Sequence, residues 1–190
     1  MEYKTYHYGD DNINDAGWGC SYRNLQTILA CYKKYYNNNI EIPNIKKILS
    51  FYNKDINDNK YFTDIWIEPY QIYEYLTNFN KEFSGYNCLY VKNKNDMSKI
   101  LKTDISIYTN NNSTYTNFDD IYMLIIEHFA ETKLPIVIDD GIFSYCFILL
   151  NDNEILLIDP HIQNDNNTIN KPIDYLKKSF WMYFFPKIKK

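Results

Sequence analysis

The first half of the chain repeats apolar residues at helical spacing. Over about residues 20–36 they recur three and four positions apart, which predicts an amphipathic helix. Pro43 at a first-turn position predicts a second, short helix over about residues 44–52. A third helix is predicted to begin near Glu68 and Pro69. Its inward-facing apolar residues are Ile72, Tyr75, Leu76 and Phe79.

The C-terminal third has the pattern of β-strands instead. Its β-branched and aromatic runs are separated by the turn signals "DG" and "NDNE", which predicts antiparallel strands at residues 134–139, 143–150 and 154–159. Further strands are predicted at residues 86–91, 104–110 and 179–187. Residues 119–130 have helical periodicity, with Asp119 or Asp120 as the predicted N-cap.

This order of elements indicates an α+β fold, with N-terminal helices packed on a C-terminal antiparallel sheet. No internal repeat or linker divides the chain. A chain of 190 residues can bury one substantial core. We therefore expect a single domain over residues 1–190.

The charge pattern argues against several classes of partner. The net charge is −4 and acids and bases are interspersed, so there is no basic patch for nucleic acid. No apolar run approaches the roughly 20 residues that span a bilayer.

The four cysteines form no CxxC pair or zinc spacing, and no secretory signal begins the chain. We expect a monomeric cytoplasmic or nuclear protein with reduced thiols, no metal and no cofactor.

The segment "GWGC" concentrates two of the five glycines of the chain, Gly17 and Gly19, around Trp18 and next to Cys20. Glycines allow a tight turn and a close approach to the backbone. Cys20 then lies at the predicted helix N-terminus, where unpaired N–H groups and the dipole lower the pKa of a thiol and could stabilise an oxyanion. The alternative is an ordinary helix start after a glycine turn. The other cysteines, Cys31, Cys88 and Cys146, are predicted to be small buried hydrophobes.

A cysteine nucleophile needs a histidine base, and the chain has three histidines. His161 follows a predicted strand two positions after Asp159, so period-2 geometry places both side chains on one sheet face. The acid could then orient the imidazole. The alternative is that "DPH" is only a strand-ending turn. His7 is predicted to be exposed, and His128 to lie on a helix surface.

Tyr8, "DAGWGCSYRNLQT" and "IDPH" together resemble the ubiquitin-fold-modifier-specific protease (UfSP) family of papain-like cysteine proteases. The resemblance implies that Cys20 is the nucleophile, His161 the base and Asp159 the residue that orients it. It also implies that the Tyr8 hydroxyl lies in the oxyanion hole. Weaker matches at "DIWIEPYQIYEYL" and "LPIVIDDGIFSYCFILL" extend the resemblance over most of the chain.

The resemblance implies a papain-like fold and cleavage after the C-terminal glycine of a ubiquitin-like modifier, most favourably ubiquitin-fold modifier, in precursors or conjugates. A narrow channel would select the glycine-ended tail, with Trp18 forming a wall and Gly19 leaving room. The chain departs from the family where Asp139 and Asp140 replace glycines and Tyr145 stands near a family histidine. This acidity leaves the choice of substrate open.

Other functions share part of this pattern. Autophagins, which act on autophagy modifiers, have the same "GWGC…DPH" layout, and a relative of the UfSP group cleaves ubiquitin chains. A catalytically dead module that only binds a modifier is a third alternative. The presence of Cys20, Asp159, His161 and Tyr8 favours an enzyme over that module.

Overall fold

The computed structural model describes residues 2–37, 39–56, 62–91, 118–151, 153–164, 166–177 and 181–189. The strand predicted at residues 104–110 and the side chain of Cys88 lie outside this description. Among the described residues, no helix combines the length and the apolar character needed to cross a membrane.

Within the described ranges, the helices begin and end close to the positions that the sequence predicts, except for a short helix at Phe62–Ile65 that no pattern indicated. They are α1 (Cys20–Tyr35), α2 (Ile45–Phe51), α3 (Phe62–Ile65), α4 (Pro69–Phe79) and α5 (Phe118–Glu131). Pro69 is the first residue of α4, where its missing N–H leaves no helical acceptor unpaired. Pro43 precedes α2 without being part of its first turn, because the Asn44 side chain is the N-cap and accepts the N–H of Lys47 at 3.0 Å.

In the described part of the chain, six strands form one antiparallel sheet in the order β1-β6-β2-β3-β4-β5. They are β1 (Phe83–Val91), β2 (Ile136–Asp139), β3 (Ser144–Asn151), β4 (Glu154–Ile158), β5 (Thr168–Pro172) and β6 (Trp181–Ile188). The central position of β3 brings it against α1. The fold is therefore α+β, as the order of elements predicts.

Both faces of the sheet are covered. On one face, α1, α2 and α4 build a core with side chains such as Val137 and Cys146. On the other, α5 and Leu176 pack on alternating residues such as Ile138 and Phe147. Complete burial of an aliphatic side chain contributes about 1.5–3 kcal/mol, so these two cores hold the sheet and helices in place.

Tertiary packing changes two predictions made from periodicity. Residues 20–32 of α1 are all buried, although the apolar spacing indicates only one inward face. His128 is buried rather than on the helix surface, and burial lowers the pKa of its imidazole to about 4. In addition, α5 begins at Phe118, so Asp119 and Asp120 lie in its first turn and neither is the N-cap. Packing from segments distant in sequence causes the first two differences.

Candidate active site

Cys20 is the first residue of α1 and is 1% exposed. Gly17 has φ +88°, a left-handed conformation that favours glycine. Gly19 has an ordinary helical φ, but a Cβ built on it would lie 2.0 Å from Oδ2 of Asp15. One glycine therefore makes the turn into the helix, and the other allows Asp15 to approach the backbone beside the nucleophile.

A turn after β4 brings Asp159 and His161 together. Asp159 Oδ1 accepts the backbone N–H of His161 at 2.9 Å and lies 2.5 Å from its Nδ1. Both residues follow the end of β4 at Ile158, so the turn, and not the strand period, sets their geometry. Because a carboxylate accepts but does not donate, Nδ1 carries the proton and Nε2 of the neutral ring is the free base.

Tyr8 contacts both Cys20 and His161. Its hydroxyl hydrogen-bonds to the Cys20 side chain and accepts the N–H of Gly17. Its ring packs edge-on against the His161 imidazole, with centroids 5.0 Å apart. Its backbone N–H donates to the carbonyl of Pro160 at 2.8 Å. Burial raises the pKa of Tyr8 far above its usual value, so the hydroxyl stays protonated and can donate.

The thiol of Cys20 is held in its protonated form. Burial raises its pKa to about 11, and the charge of Asp139 acts in the same direction. Hydrogen bonds from the N–H of Ser21, the hydroxyl of Tyr8 and the N–H of Ser144 lower the pKa by less. The pKa depression expected at a helix N-terminus is therefore outweighed by burial, and the expectation of a lowered net value is wrong for the substrate-free protein.

A sequence model of peptidase family C78 matches residues 1–183 of the chain. The chain belongs to peptidase family C78. A probable Ufm1-specific protease from Oryza sativa subsp. japonica is 46% identical over 46 residues, which are 24% of this chain and 7% of the relative. A probable Ufm1-specific protease 2 from Drosophila pseudoobscura pseudoobscura is 26% identical over 168 residues, which are 84% of this chain and 24% of the relative.

The fold of this family C78 chain is that of a solved relative. The crystal structure of UfSP from C. elegans aligns with a TM-score of 0.66 and 19% identity, over 99% of this chain and 33% of that chain. This match confirms the papain-like fold predicted from the motif resemblance. The chain spans a third or less of the length of each of these relatives.

The segment that follows Cys20 in α1, "SYRNLQT", holds an N-terminal strap. This strap consists of residues 5–15 and carries Tyr8. Arg23 is fully buried and forms an ion pair with buried Asp15, with Nε and Oδ2 2.8 Å apart. A second guanidinium nitrogen donates to the carbonyl of Asp10 at 2.6 Å. Thr27 Oγ accepts the N–H of Tyr6 at 3.1 Å. The polar side of α1 is therefore buried because it binds the strap.

Asn167 ties the same strap to the turn that carries His161. Its Oδ1 accepts the hydroxyl of Thr5 at 2.7 Å, and its Nδ2 donates to the carbonyl of Tyr6. Its own carbonyl accepts the N–H of Asp159 at 2.7 Å. Sequence reasoning missed Asn167, since the chain is rich in asparagine and nothing local distinguishes this one. Contact with both the strap and the turn is visible only in the fold.

Aromatic residues surround the imidazole on its other sides. Phe143 packs edge-on against His161 with centroids 5.1 Å apart, and Tyr145 lies tilted at 5.8 Å. Tyr145 also packs against Trp181. These rings leave His161 partly exposed while limiting its orientations. The hairpin between β2 and β3 therefore forms one side of the site.

The two predicted substrate-binding residues lie next to the nucleophile but inside the protein. Trp18 is 2% exposed and packs edge-on against Tyr22, with centroids 5.5 Å apart. Gly19 is buried against Asp15. Their roles toward substrate stay predictions. Across the described ranges, no group of three or more His, Cys, Asp or Glu side chains is arranged to hold a metal ion.

Proposed function

We propose that this chain is a thiol-dependent protease that cleaves after the C-terminal glycine of Ufm1, in precursors or in conjugates. The observation that carries the proposal is the position of Tyr8. Its hydroxyl meets the sulfur of Cys20, and its ring packs on a histidine whose Nδ1 is bonded to Asp159. A thiol, a free imidazole nitrogen and a neutral donor in one place are the groups that acyl transfer requires.

In the proposed reaction, Nε2 of His161 removes the proton from Cys20 as the sulfur attacks the carbonyl of the terminal glycine. Asp159 holds the imidazole in the required tautomer and stabilises the imidazolium. The oxyanion accepts hydrogen bonds from the Tyr8 hydroxyl and from the N–H of Cys20, since helix geometry leaves first-turn N–H groups without an intrahelical acceptor. His161 then protonates the leaving amine, and water hydrolyses the thioester.

The burial of the nucleophile supports a thin, glycine-ended substrate. Cys20 is 1% exposed, so a tail without side chains reaches it with the smallest displacement of neighbouring groups. The rice and Drosophila relatives are named as Ufm1-specific proteases, and on this basis we propose Ufm1 as the modifier. Three described cysteines, Cys20, Cys31 and Cys146, are free thiols, and we propose a cytoplasmic location, where thiols stay reduced.

Phenylalanine at position 8 tests the oxyanion role. Tyr8→Phe keeps the ring that packs on His161 and removes the hydroxyl. We expect kcat/KM for a Ufm1 fusion to fall about 10²- to 10³-fold, as for loss of one oxyanion donor elsewhere. Tyr6→Phe removes a hydroxyl two positions away in the same strap and should retain wild-type kinetics. Equal turnover by wild type and Tyr8→Phe would contradict the assignment.

The modifier is tested by a comparison of three probes. Ufm1, ubiquitin and an autophagy modifier, each with a C-terminal electrophile, are incubated with wild type and with Cys20→Ala. We expect a mass increase with the Ufm1 probe that is absent in the variant. An adduct with the ubiquitin or the autophagy probe alone would reassign the substrate. No adduct with any probe would favour the binding module.

A further inference from the structure

Asp139 ends β2 beside the nucleophile. It pairs with Ser144 across the hairpin. The next cross-strand pair on the same face, Val137 and Cys146, lies in the core that contains α1. Alternation along the strands therefore places the side chains of Asp139 and Ser144 toward α1, whose first residue is Cys20.

Ser144 connects the carboxylate to the sulfur. Its backbone N–H donates to Cys20, and its hydroxyl hydrogen-bonds to the carboxylate of Asp139. The same hydroxyl accepts Nδ2 of Asn24 at 2.9 Å, so its proton is directed to Asp139. Ser144 is fully buried. Carboxylate and thiol are therefore held on opposite sides of one residue, away from solvent.

The charge of Asp139 is poorly compensated. Asp139 is 2% exposed, and its Oδ1 accepts the N–H of Gly141 at 2.7 Å. Its Oδ2 is buried and meets no hydrogen-bond donor within the described part of the chain. At low dielectric, such a carboxylate strongly disfavours a second negative charge nearby.

We propose that Asp139 is a positioning residue for Cys20 that restrains thiolate formation in the substrate-free protein. This inference rests on the proposed role of Cys20 as the nucleophile. The sulfur keeps its proton until His161 removes it during the reaction. Because the thiolate is the form that reacts with alkylating agents and oxidants, the restraint protects Cys20 between turnovers.

Other titratable groups surround this pair from each neighbouring element. They are Tyr8 and Asp15 in the strap, Glu68 at the start of α4, Asp140 in the hairpin and His161 after β4. Burial, with smaller effects from Glu68 and Asp140, raises the pKa of Asp139 to about 6. Asp139 is therefore charged above that pH, where the restraint operates, and neutral below it.

Alkylation of Cys20 by chloroacetamide tests the proposal in the full chain. The rate is followed by peptide mass spectrometry from about pH 5 to about pH 12, a range that includes the thiol pKa of about 11. Asp139→Asn keeps an acceptor for the Gly141 N–H and removes the charge. We expect the midpoint of its pH–rate profile to fall by about one unit. A lower pKa increases the fraction of Cys20 present as thiolate, but a less basic thiolate is a weaker nucleophile. The net expectation is about a threefold faster alkylation at neutral pH.

Matched variants separate charge from structure. Asp139→Glu keeps the charge and should keep the wild-type midpoint, and Asp140→Asn removes the neighbouring charge and should leave the midpoint unchanged. Asp139→Ser is a second neutral variant, whose midpoint must also fall and which decides the outcome should Asp139→Asn fail to fold. The chain with Asp139 and the Asp139→Asn variant are then compared again in a His161→Asn background, which removes the contribution of the imidazole to the midpoint. A neutral variant with the wild-type midpoint overturns the proposal.

The reagent needs no protein substrate, so this result is independent of the proposed protease activity. A shifted midpoint without Ufm1 cleavage would refute the protease and keep the restraint. Normal Ufm1 cleavage with an unshifted midpoint would refute the restraint and keep the protease.

Discussion

We expect Cys20→Ala to abolish the proposed release of Ufm1 from a C-terminal fusion. Removal of a protease nucleophile lowers kcat on the order of 10⁶-fold, because the acyl intermediate can no longer form. The fold should be retained, since alanine suits a helix position and only a small buried side chain is trimmed. Cleavage is followed by gel and mass spectrometry, and binding of an uncleavable Ufm1 fusion is measured in parallel.

The control is Cys31→Ala, which trims another buried cysteine of α1. Its sulfur contacts the carbonyl of Lys133 at 3.0 Å, away from the strap, so kcat should stay at the wild-type level. Cleavage by Cys20→Ala at a substantial fraction of the wild-type rate would assign the reaction to a different nucleophile. Loss of binding in Cys20→Ala would instead indicate a damaged fold.

We expect Arg23→Met to destabilise the protein by about 3–5 kcal/mol, since removing one partner of a buried ion pair leaves the other charge uncompensated. The guanidinium and the Asp15 carboxylate are both fully buried, and two nitrogens of Arg23 contact the two Asp15 oxygens at 2.8 and 3.0 Å. The free energy of unfolding is measured by urea denaturation. Because Arg23 also binds the strap that carries Tyr8, cleavage of Ufm1 should fall as well.

Lys34→Met is the matched control in the same helix. Lys34 is exposed, and its nitrogen lies 3.8 Å from an oxygen of Glu2, so its loss should change the free energy of unfolding by less than about 1 kcal/mol. The double variant Asp15→Asn with Arg23→Met should regain part of the lost stability, because the buried charge is then absent. A double variant as unstable as Arg23→Met would show that lost packing, and not the unpaired charge, dominates.

Elements with strong periodicity were predicted closely, and weakly patterned ones were missed. The helix expected over about residues 20–36 is Cys20–Tyr35, and the strand expected at 154–159 is Glu154–Ile158. No pattern indicated β5 (Thr168–Pro172), a short polar strand that, among the described strands, pairs with β4 alone at the edge of the sheet. Edge strands can be short, exposed and proline-containing, so they lack the alternation on which prediction depends.

The sequence by itself determined the family, the α+β class and the chemical types gathered around Cys20. These follow from residue identity and local spacing, which an unfolded chain already contains. The family resemblance singled out Tyr8 among 20 tyrosines, and the tertiary structure decided its contacts with both Cys20 and His161. It also decided the charge state of the thiol, because burial and a carboxylate from β2, distant along the chain, outweigh the helix N-terminus.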